Sequence, residues 1–449
     1  MDDEIEPKTV NQEPPRRDIS RRAVVVGLAG LAAAEAAAGG VTWQMVTQGL
    51  LKIFLTFAFL LSHSQGTPGL TPTTTTMPSP PPPYSPMFGF NPQHTHYNPG
   101  ESILSTANVA QLRLFWTATT SSSIYSSPIV SNGLVYITSS DNKLYAFSAL
   151  TGMKQWEVST GNYVNKGSFI YSSPSIVNRV VYVGSNDGRV YAFKASTGQR
   201  LWVSLPTGGS VFSSPTVVNG ILYIGSTDHK VYAFDATSGK PLWAVSTGGE
   251  VYSSPAVVNN VVYIGSSDSK LYALNATTGN AVWTGVLQNH ILTSPTVVDG
   301  EVYFGADDGS VYAFAANGCG HPTCDPLWMA GTGGFINSSP AVANGILYVG
   351  SHDHKLYAFD TAKCRNAPTS CTPLWTAITG GEISSSPTVA NGVVYFGSRD
   401  GKLYAFDAKT GAPLWIFTTS SQPIYSSPTV QDGIVYIGSN DQNLYAFHL

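Results

Sequence analysis

The sequence predicts an all-β fold, an eight-bladed β-propeller of four-stranded blades whose ring is closed by the N-terminal strand. Three observations predict it. A Ser-Ser-Pro unit, once Thr-Ser-Pro at Thr293, places prolines at Pro128, Pro174, Pro215, Pro255, Pro295, Pro340, Pro387 and Pro428. The tyrosine of a second phrase, "LYAF", keeps step at Tyr145, Tyr191, Tyr232, Tyr272, Tyr312, Tyr357, Tyr404 and Tyr445, both series advancing by 40 to 47 residues. The chain ends in "LYAFHL" with nothing after it, whereas Trp116 stands in "LRLFWTAT" ahead of the first unit. The N-terminal strand is therefore expected to complete the last blade, so that no sheet edge is left open to aggregate.

Each unit reads as four short strands. Strand A is "VYSSPAVV". A pair such as Asn219-Gly220, Asn344-Gly345, Asn391-Gly392 or Asp432-Gly433 then supplies the positive φ values of a two-residue hairpin turn. Strand B is "VVYIGS", and a turn built on an aspartate leads to strand C, "LYAFDA". A Thr-Gly or Ser-Gly pair precedes strand D, "PLWAVS", which carries one tryptophan per unit: Trp116, Trp156, Trp202, Trp243, Trp283, Trp328, Trp375 and Trp415. Propellers are held together by contacts between neighbouring blades. A tryptophan burying up to about 250 Å² contributes at most about 6 kcal/mol to such a contact before entropy is counted. These eight are expected to dock blade against blade.

The aspartates Asp141, Asp187, Asp228, Asp268, Asp308, Asp353, Asp400 and Asp441 lie four residues before each tyrosine. A ring of eight carboxylates could hold metal, but a residue present in every copy answers a need that every blade shares. Capping of the tight turn by bonds to nearby N–H groups is that need, and no metal site is assigned.

Four cysteines sit in the links between strands C and D of consecutive units: Cys319 and Cys324 in "CGHPTC", Cys364 and Cys371 in "CRNAPTSC". One disulfide within each loop is expected, in keeping with an oxidising compartment. A zinc site using His321 is the rival, disfavoured because loops on adjacent blades fan apart at the rim.

The first 87 residues are of a different kind. A polar, basic region, residues 1–22, carries Ser20, Arg21 and Arg22 in a twin-arginine-like export pattern. A hydrophobic segment, residues 23–61, reads either as a signal cleaved near Ala36 to Gly39 or as a retained membrane anchor. Ala23 to Trp43 is about the 20 residues a spanning helix needs, with Glu35 costing roughly 2 to 3 kcal/mol. The anchor is favoured, because cleavage near Ala38 would leave an exposed apolar stretch. Residues 62–87, rich in proline and threonine, read as an extended spacer, and residues 88–449 as the propeller. The expected location is extracytoplasmic, with the chain meeting the membrane through its N-terminal segment. Only 11% of residues are charged and the net charge is −4, so there is no basic field to attract nucleic acid.

"AFDATSGKPLW" (233–243), "ALNATTGNAVW" (273–283) and "AFDAKTGAPLW" (405–415) resemble the tryptophan-docking motif of pyrroloquinoline quinone (PQQ) type propeller repeats. The lead-in "FGFNPQHTHYNPGESILSTANVAQLRLFW" (88–116) is similar to the start of the mature quinoprotein dehydrogenases. That resemblance implies a choice. Dehydrogenases of the family hold PQQ over a tryptophan floor beneath two adjacent cysteines, with calcium and an aspartate base. Here there is no Cys-Cys pair, no long blade insertion, and no carboxylate that matches the base. No catalytic residue is therefore assigned. Other propellers of this type, such as the outer-membrane assembly lipoprotein, carry no cofactor. The expected function is that of an exported, membrane-tethered binding or assembly scaffold without a cofactor. A PQQ- and calcium-dependent dehydrogenase oxidising alcohols or sugars outside the cytoplasm is the alternative.

Differences between copies point to a binding face, because structural needs repeat and a site need not. The Asn-Gly turns are nearly uniform. The connections D–A and B–C, which share the opposite face, vary in charge and aromaticity. The candidate ligand-binding set there is Lys166, Glu250, His290, His352, Glu382 and Arg399, for a protein or small-molecule ligand.

Overall fold

A computed structural model of the chain describes residues 86–161, 171–367 and 371–449. Lys166 and the signal, anchor and spacer segments before residue 86 lie outside the described residues. Among those described, no helix is long and apolar enough to cross a membrane.

The expected eight-bladed propeller is present. Blade 3 is typical: Thr216–Val218, Ile221–Ser226, Lys230–Asp235 and Pro241–Ser246 pair antiparallel in chain order. Its first turn has both central residues at positive φ, Asn219 at 51° and Gly220 at 78°, the geometry an Asn-Gly pair adopts at least cost. The last blade is closed as the sequence predicts. Arg113–Thr119 pairs antiparallel with Asn443–His448 and places Trp116 opposite Ala446.

Strand alternation sends each blade's side chains to two neighbours. Tyr182, Val190 and Ala192 of blade 2 pack against Leu222, Ile224 and Phe234 of blade 3, and an equivalent cluster fills every other blade interface. The core is thus a ring of eight apolar seams around a channel, which leaves the strand-A side chains to shape the channel itself.

The tryptophans cross these seams. Trp202 donates its indole N–H to Ala236 O of the next blade at 3.0 Å, and Trp116, Trp156, Trp243, Trp283, Trp375 and Trp415 likewise donate to a backbone carbonyl of the following blade. The Ser-Gly turn before strand D explains the spacing. Gly239 sits at φ +71° against the Trp202 ring, where an added Cβ would lie 2.5 Å from Cε3. Trp328 differs: its N–H meets the Glu301 carboxylate at 3.3 Å, because the next blade carries the short helix Thr361–Arg365 at that place. Arg365 of that helix pairs with the buried Glu301.

The repeated aspartates cap their turns and do one thing more. Asp308 Oδ1 accepts the Ser310 N–H at 2.8 Å, while its Oδ2 accepts the Tyr312 hydroxyl at 2.6 Å. The tyrosine of "LYAF" is therefore the partner of the aspartate four residues earlier. Both disulfides form as expected, Cys319–Cys324 and Cys364–Cys371, which leaves no thiolate for the zinc alternative. The first loop also adds Thr323–Cys324 as a parallel fifth strand on Ala281–Val286 of blade 4.

One feature of the channel has no counterpart in the sequence reading. Residues 86–98 wind through its Asn-Gly end as a plug. Pro86, Pro92, Gln93, Thr95 and His96 offer backbone carbonyls to the N–H groups of Ile176, Val257, Val297, Val342 and Val389, at 2.8 to 3.0 Å. These are strand-A donors that face the channel, and the plug supplies acceptors that their own blades lack. Tyr97–Asn98 continues as a short parallel strand on Thr388–Ala390, and Asn98 Nδ2 donates to Val430 O at 2.8 Å. Pro86 and Met87, at the end of the proline-rich stretch, thus belong to the propeller, and Met87 is buried.

Candidate functional site

The plug closes one end of the channel and leaves a cup at the other. The residue three before each Ser-Ser-Pro proline rims this cup, and Phe88 of the plug forms part of its wall. Blades 8, 1, 2, 3 and 4 contribute Tyr425, Tyr125, Tyr171, Phe212 and Tyr252, a continuous aromatic arc with neighbouring ring centroids 5.3, 4.7, 5.2 and 5.6 Å apart. Blades 5, 6 and 7 contribute Leu292, Asn337 and Ser384 instead. The cavity measures about 470 Å³, a size that admits a small ligand or a few side chains of a partner.

The interrupted part of the rim is polar. His352 Nε2 lies 3.1 Å from Ser384 Oγ and 3.2 Å from Asn337 Nδ2, and His352 Nδ1 lies 3.5 Å from Glu382 Oε2. Arg399 pairs with the same Glu382 oxygen, and its guanidinium carbon stands 5.0 Å from the Tyr425 ring centroid. His290 Nδ1 is 3.8 Å from Asp307 Oδ2. Burial lowers the pKa of His352, opposed by the Glu382 charge and reinforced by that of Arg399, so the ring is neutral near pH 7. Burial likewise raises the Asp307 carboxyl above its ordinary range.

Of the residues singled out from the sequence, His352, Glu382 and Arg399 meet in this sector, and His290 stands beside it, paired with Asp307, which feels the His352 charge. Glu250 stands apart on the aromatic side, accepting the Tyr252 hydroxyl at 2.8 Å. Lys166 lies outside the described residues. The aromatic arc, Asn337 and Ser384 were missed, although the signal was present in the same alignment: the rim position reads Tyr, Tyr, Phe, Tyr, Leu, Asn, Ser, Tyr around the ring. Chemically, the cup offers ring faces on one side and hydrogen-bonding groups on the other. Among the described residues, no group of three or more His, Cys, Asp or Glu is placed to hold a metal ion.

A family model described as outer membrane protein assembly factor BamB matches residues 31–227, 227–319 and 365–448. No curated protein matches the sequence. Among solved structures, a europium-containing methanol dehydrogenase is similar with a TM-score of 0.68 at 14% identity, over 81% of this chain and 98% of that one. BamB from Moraxella catarrhalis is similar with a TM-score of 0.61 at 18% identity, over 75% and 98% of the two chains. A computationally designed protein, Ika8, is similar with a TM-score of 0.64 at 18% identity, over 75% of this chain and the whole of that one. Likeness at this identity carries the fold, and the fold does not select a function.

Proposed function

The chain belongs to the family of outer membrane protein assembly factor BamB, and from that premise we propose that it is an exported, membrane-tethered β-propeller that works as a binding and assembly scaffold through the cup. The observation that carries this reading is the asymmetry of the rim. Eight copies of one unit place five aromatic rings on one side and Asn337, His352, Glu382, Ser384 and Arg399 on the other. Packing of the fold needs no such division, whereas recognition of a partner with an apolar anchor and polar flanks does. A protein segment that sets an apolar side chain on the arc and hydrogen-bonds to the polar sector fits best. The two disulfides and the twin-arginine-like start support a location outside the cytoplasm. The tether rests on residues 23–61.

The chemistry of the cup does not fit PQQ. That cofactor is a flat tricarboxylate, and its recognition calls for cationic groups. Among the described residues the cup is lined by aromatic rings, serine hydroxyls, Leu292 and Asn337 with no cationic side chain, and the charge of Arg399 beside it is already engaged by Glu382. The cysteines are bonded within their C–D loops rather than to an adjacent residue over a ring.

A photo-crosslinking residue placed at Phe212 or Tyr252 in cells tests the scaffold reading, with Asn219 and Asn344 on the opposite face as controls. A discrete protein adduct is expected from the rim positions and none from the controls. Adducts from the Asn-Gly turns alone would assign the function to the other face.

A further inference from the structure

We propose that Ser384, His352 and Glu382 form a nucleophile, base and carboxylate relay that cleaves esters with an apolar acyl group. Each member is an exception to its own repeat. Ser384 occupies a rim position that is aromatic in five of the eight copies, and His352 is the single histidine among the residues that precede the turn aspartates. Glu382 belongs to a connection that is otherwise Ser, Phe, His or Pro apart from Glu250. Two adjacent blades bring them together where the cavity is open.

The geometry is ordered in the required sense. Ser384 Oγ stands 3.1 Å from His352 Nε2, and the other ring nitrogen stands 3.5 Å from Glu382 Oε2. One tautomer suits the surroundings: Nδ1–H faces Glu382 Oε2 across 3.5 Å, and the single lone pair of Nε2 accepts from the Ser384 hydroxyl or from Asn337 Nδ2. The charged and titratable groups facing the ring are Glu382, Arg399, Asp307 and His354, and burial keeps it unprotonated and able to act as a base. The donor available to an oxyanion is the Asn337 amide, whose Nδ2 carries a second N–H besides the one that faces His352. The aromatic arc across the cup supplies the surface for the apolar acyl group.

The reaction balances without a redox partner. Ser384 Oγ bonds to the ester carbonyl carbon as its proton passes to His352 Nε2. The bond from that carbon to the alkoxy oxygen then breaks, and the departing alcohol takes the proton. Water gives a proton to the same nitrogen and attacks the acyl carbon. The bond to Ser384 breaks, and its oxygen recovers the proton, giving acid and alcohol from ester and water.

Full-length protein treated with a fluorophosphonate probe, and separately with p-nitrophenyl butyrate, tests the relay. Labelling is expected at Ser384 and nowhere else, with both labelling and hydrolysis lost in Ser384→Ala at an unchanged melting temperature. His352→Gln should slow both by about 100-fold or more. Glu382 acts through His352, so Glu382→Gln should slow labelling and move the midpoint of its pH profile to lower pH, because the carboxylate raises the imidazole pKa. Labelling absent, labelling at another serine, or hydrolysis unchanged in Ser384→Ala would overturn the assignment. The test reads the serine directly, so it stands or falls apart from the crosslinking of a partner.

Discussion

The backbone N–H of Ser427 donates to the hydroxyl of Ser127 at 3.1 Å, a bond that joins the last blade to the first. It completes a ring of eight. In every copy the second serine of Ser-Ser-Pro donates its N–H to the corresponding hydroxyl of the following copy, at 2.9 to 3.1 Å. The first serine works within its own blade, as when Ser213 Oγ accepts the Gly225 N–H at 3.0 Å. Strand A is the innermost strand of its blade, and at the serine pair, beyond the reach of the plug, side-chain oxygens stand in for the missing ladder. The repeated triplet is therefore the hydrogen-bonding edge of the channel.

Removing one link tests this account. Ser254→Ala leaves the buried N–H of Ser214 without an acceptor and should cost about 1 to 3 kcal/mol. Equilibrium unfolding in urea measures the loss, and a midpoint equal to that of the parent would contradict the ring.

The Ser-Gly turn makes a sharper case. Gly239→Ala would put a Cβ at φ +71° and 2.5 Å from the Trp202 ring, so backbone strain and overpacking act together. A loss of about 2 to 4 kcal/mol is expected. Lys240→Ala, one residue on and exposed, should stay within about 0.5 kcal/mol by the same measurement.

Much of the fold was legible because one solution is written eight times. The Asn-Gly pairs and the tryptophans each stated a local need that the other copies confirmed. The plug was not legible, because residues 86–98 occur once and their role depends on five blades whose contacts spread from Ile176 to Val389. The site falls between these cases. Charge variation led to His352, Glu382 and Arg399, while the aromatic arc escaped notice because tyrosine also serves the core of every blade. Likewise, the bond from the "LYAF" tyrosine to the turn aspartate needs coordinates, since spacing alone does not say which side chain faces which.

Blade 5 replaces a backbone acceptor with a carboxylate, and the replacement is asymmetric in energy. Glu301 is buried whereas Arg365 is half-exposed. Arg365→Ala strands a buried negative charge and should be the more damaging change, at about 3 kcal/mol or more. Glu301→Gln frees an arginine into water and keeps an acceptor for Trp328, so about 1 to 2 kcal/mol is expected. Urea midpoints in the reverse order would refute the assignment of Glu301 as the buried partner.

His94 and His96 lie wholly buried in the plug, and burial lowers the pKa of each to about 3. Unfolded, each titrates near 6.5, so below that pH the unfolded chain binds protons that the folded plug refuses. The stability these groups contribute is complete above pH 6.5 and is lost as pH falls toward 3. Each adds a slope of about 1.4 kcal/mol per pH unit across that window. His96→Asn should flatten the decline measured by urea unfolding at pH 7, 6, 5 and 4. An unchanged slope would mean that the imidazole is hydrated in the folded state.

Two truncations separate what the plug does from what the closing strand does. Removing residues 1–98 takes away the carbonyls that face Ile176, Val257, Val297, Val342 and Val389, but it keeps Arg113–Thr119 and the Glu101 side chain that accepts from Ile103, Leu104 and Gly433. Water entering the opened channel can satisfy the freed N–H groups, so the loss is mainly the buried surface of the plug, and a monomeric propeller with a lowered urea midpoint is expected. Removing residues 1–119 also removes the outer strand of blade 8 and Trp116 with its bond to Ala149. Asn443–His448 then becomes an open edge beside an unfilled seam, and such an edge recruits other chains. Size-exclusion chromatography and near-ultraviolet circular dichroism should find the first truncation folded and monomeric and the second associated or unfolded. If both truncations behaved alike, the ring would not depend on its N-terminal strand.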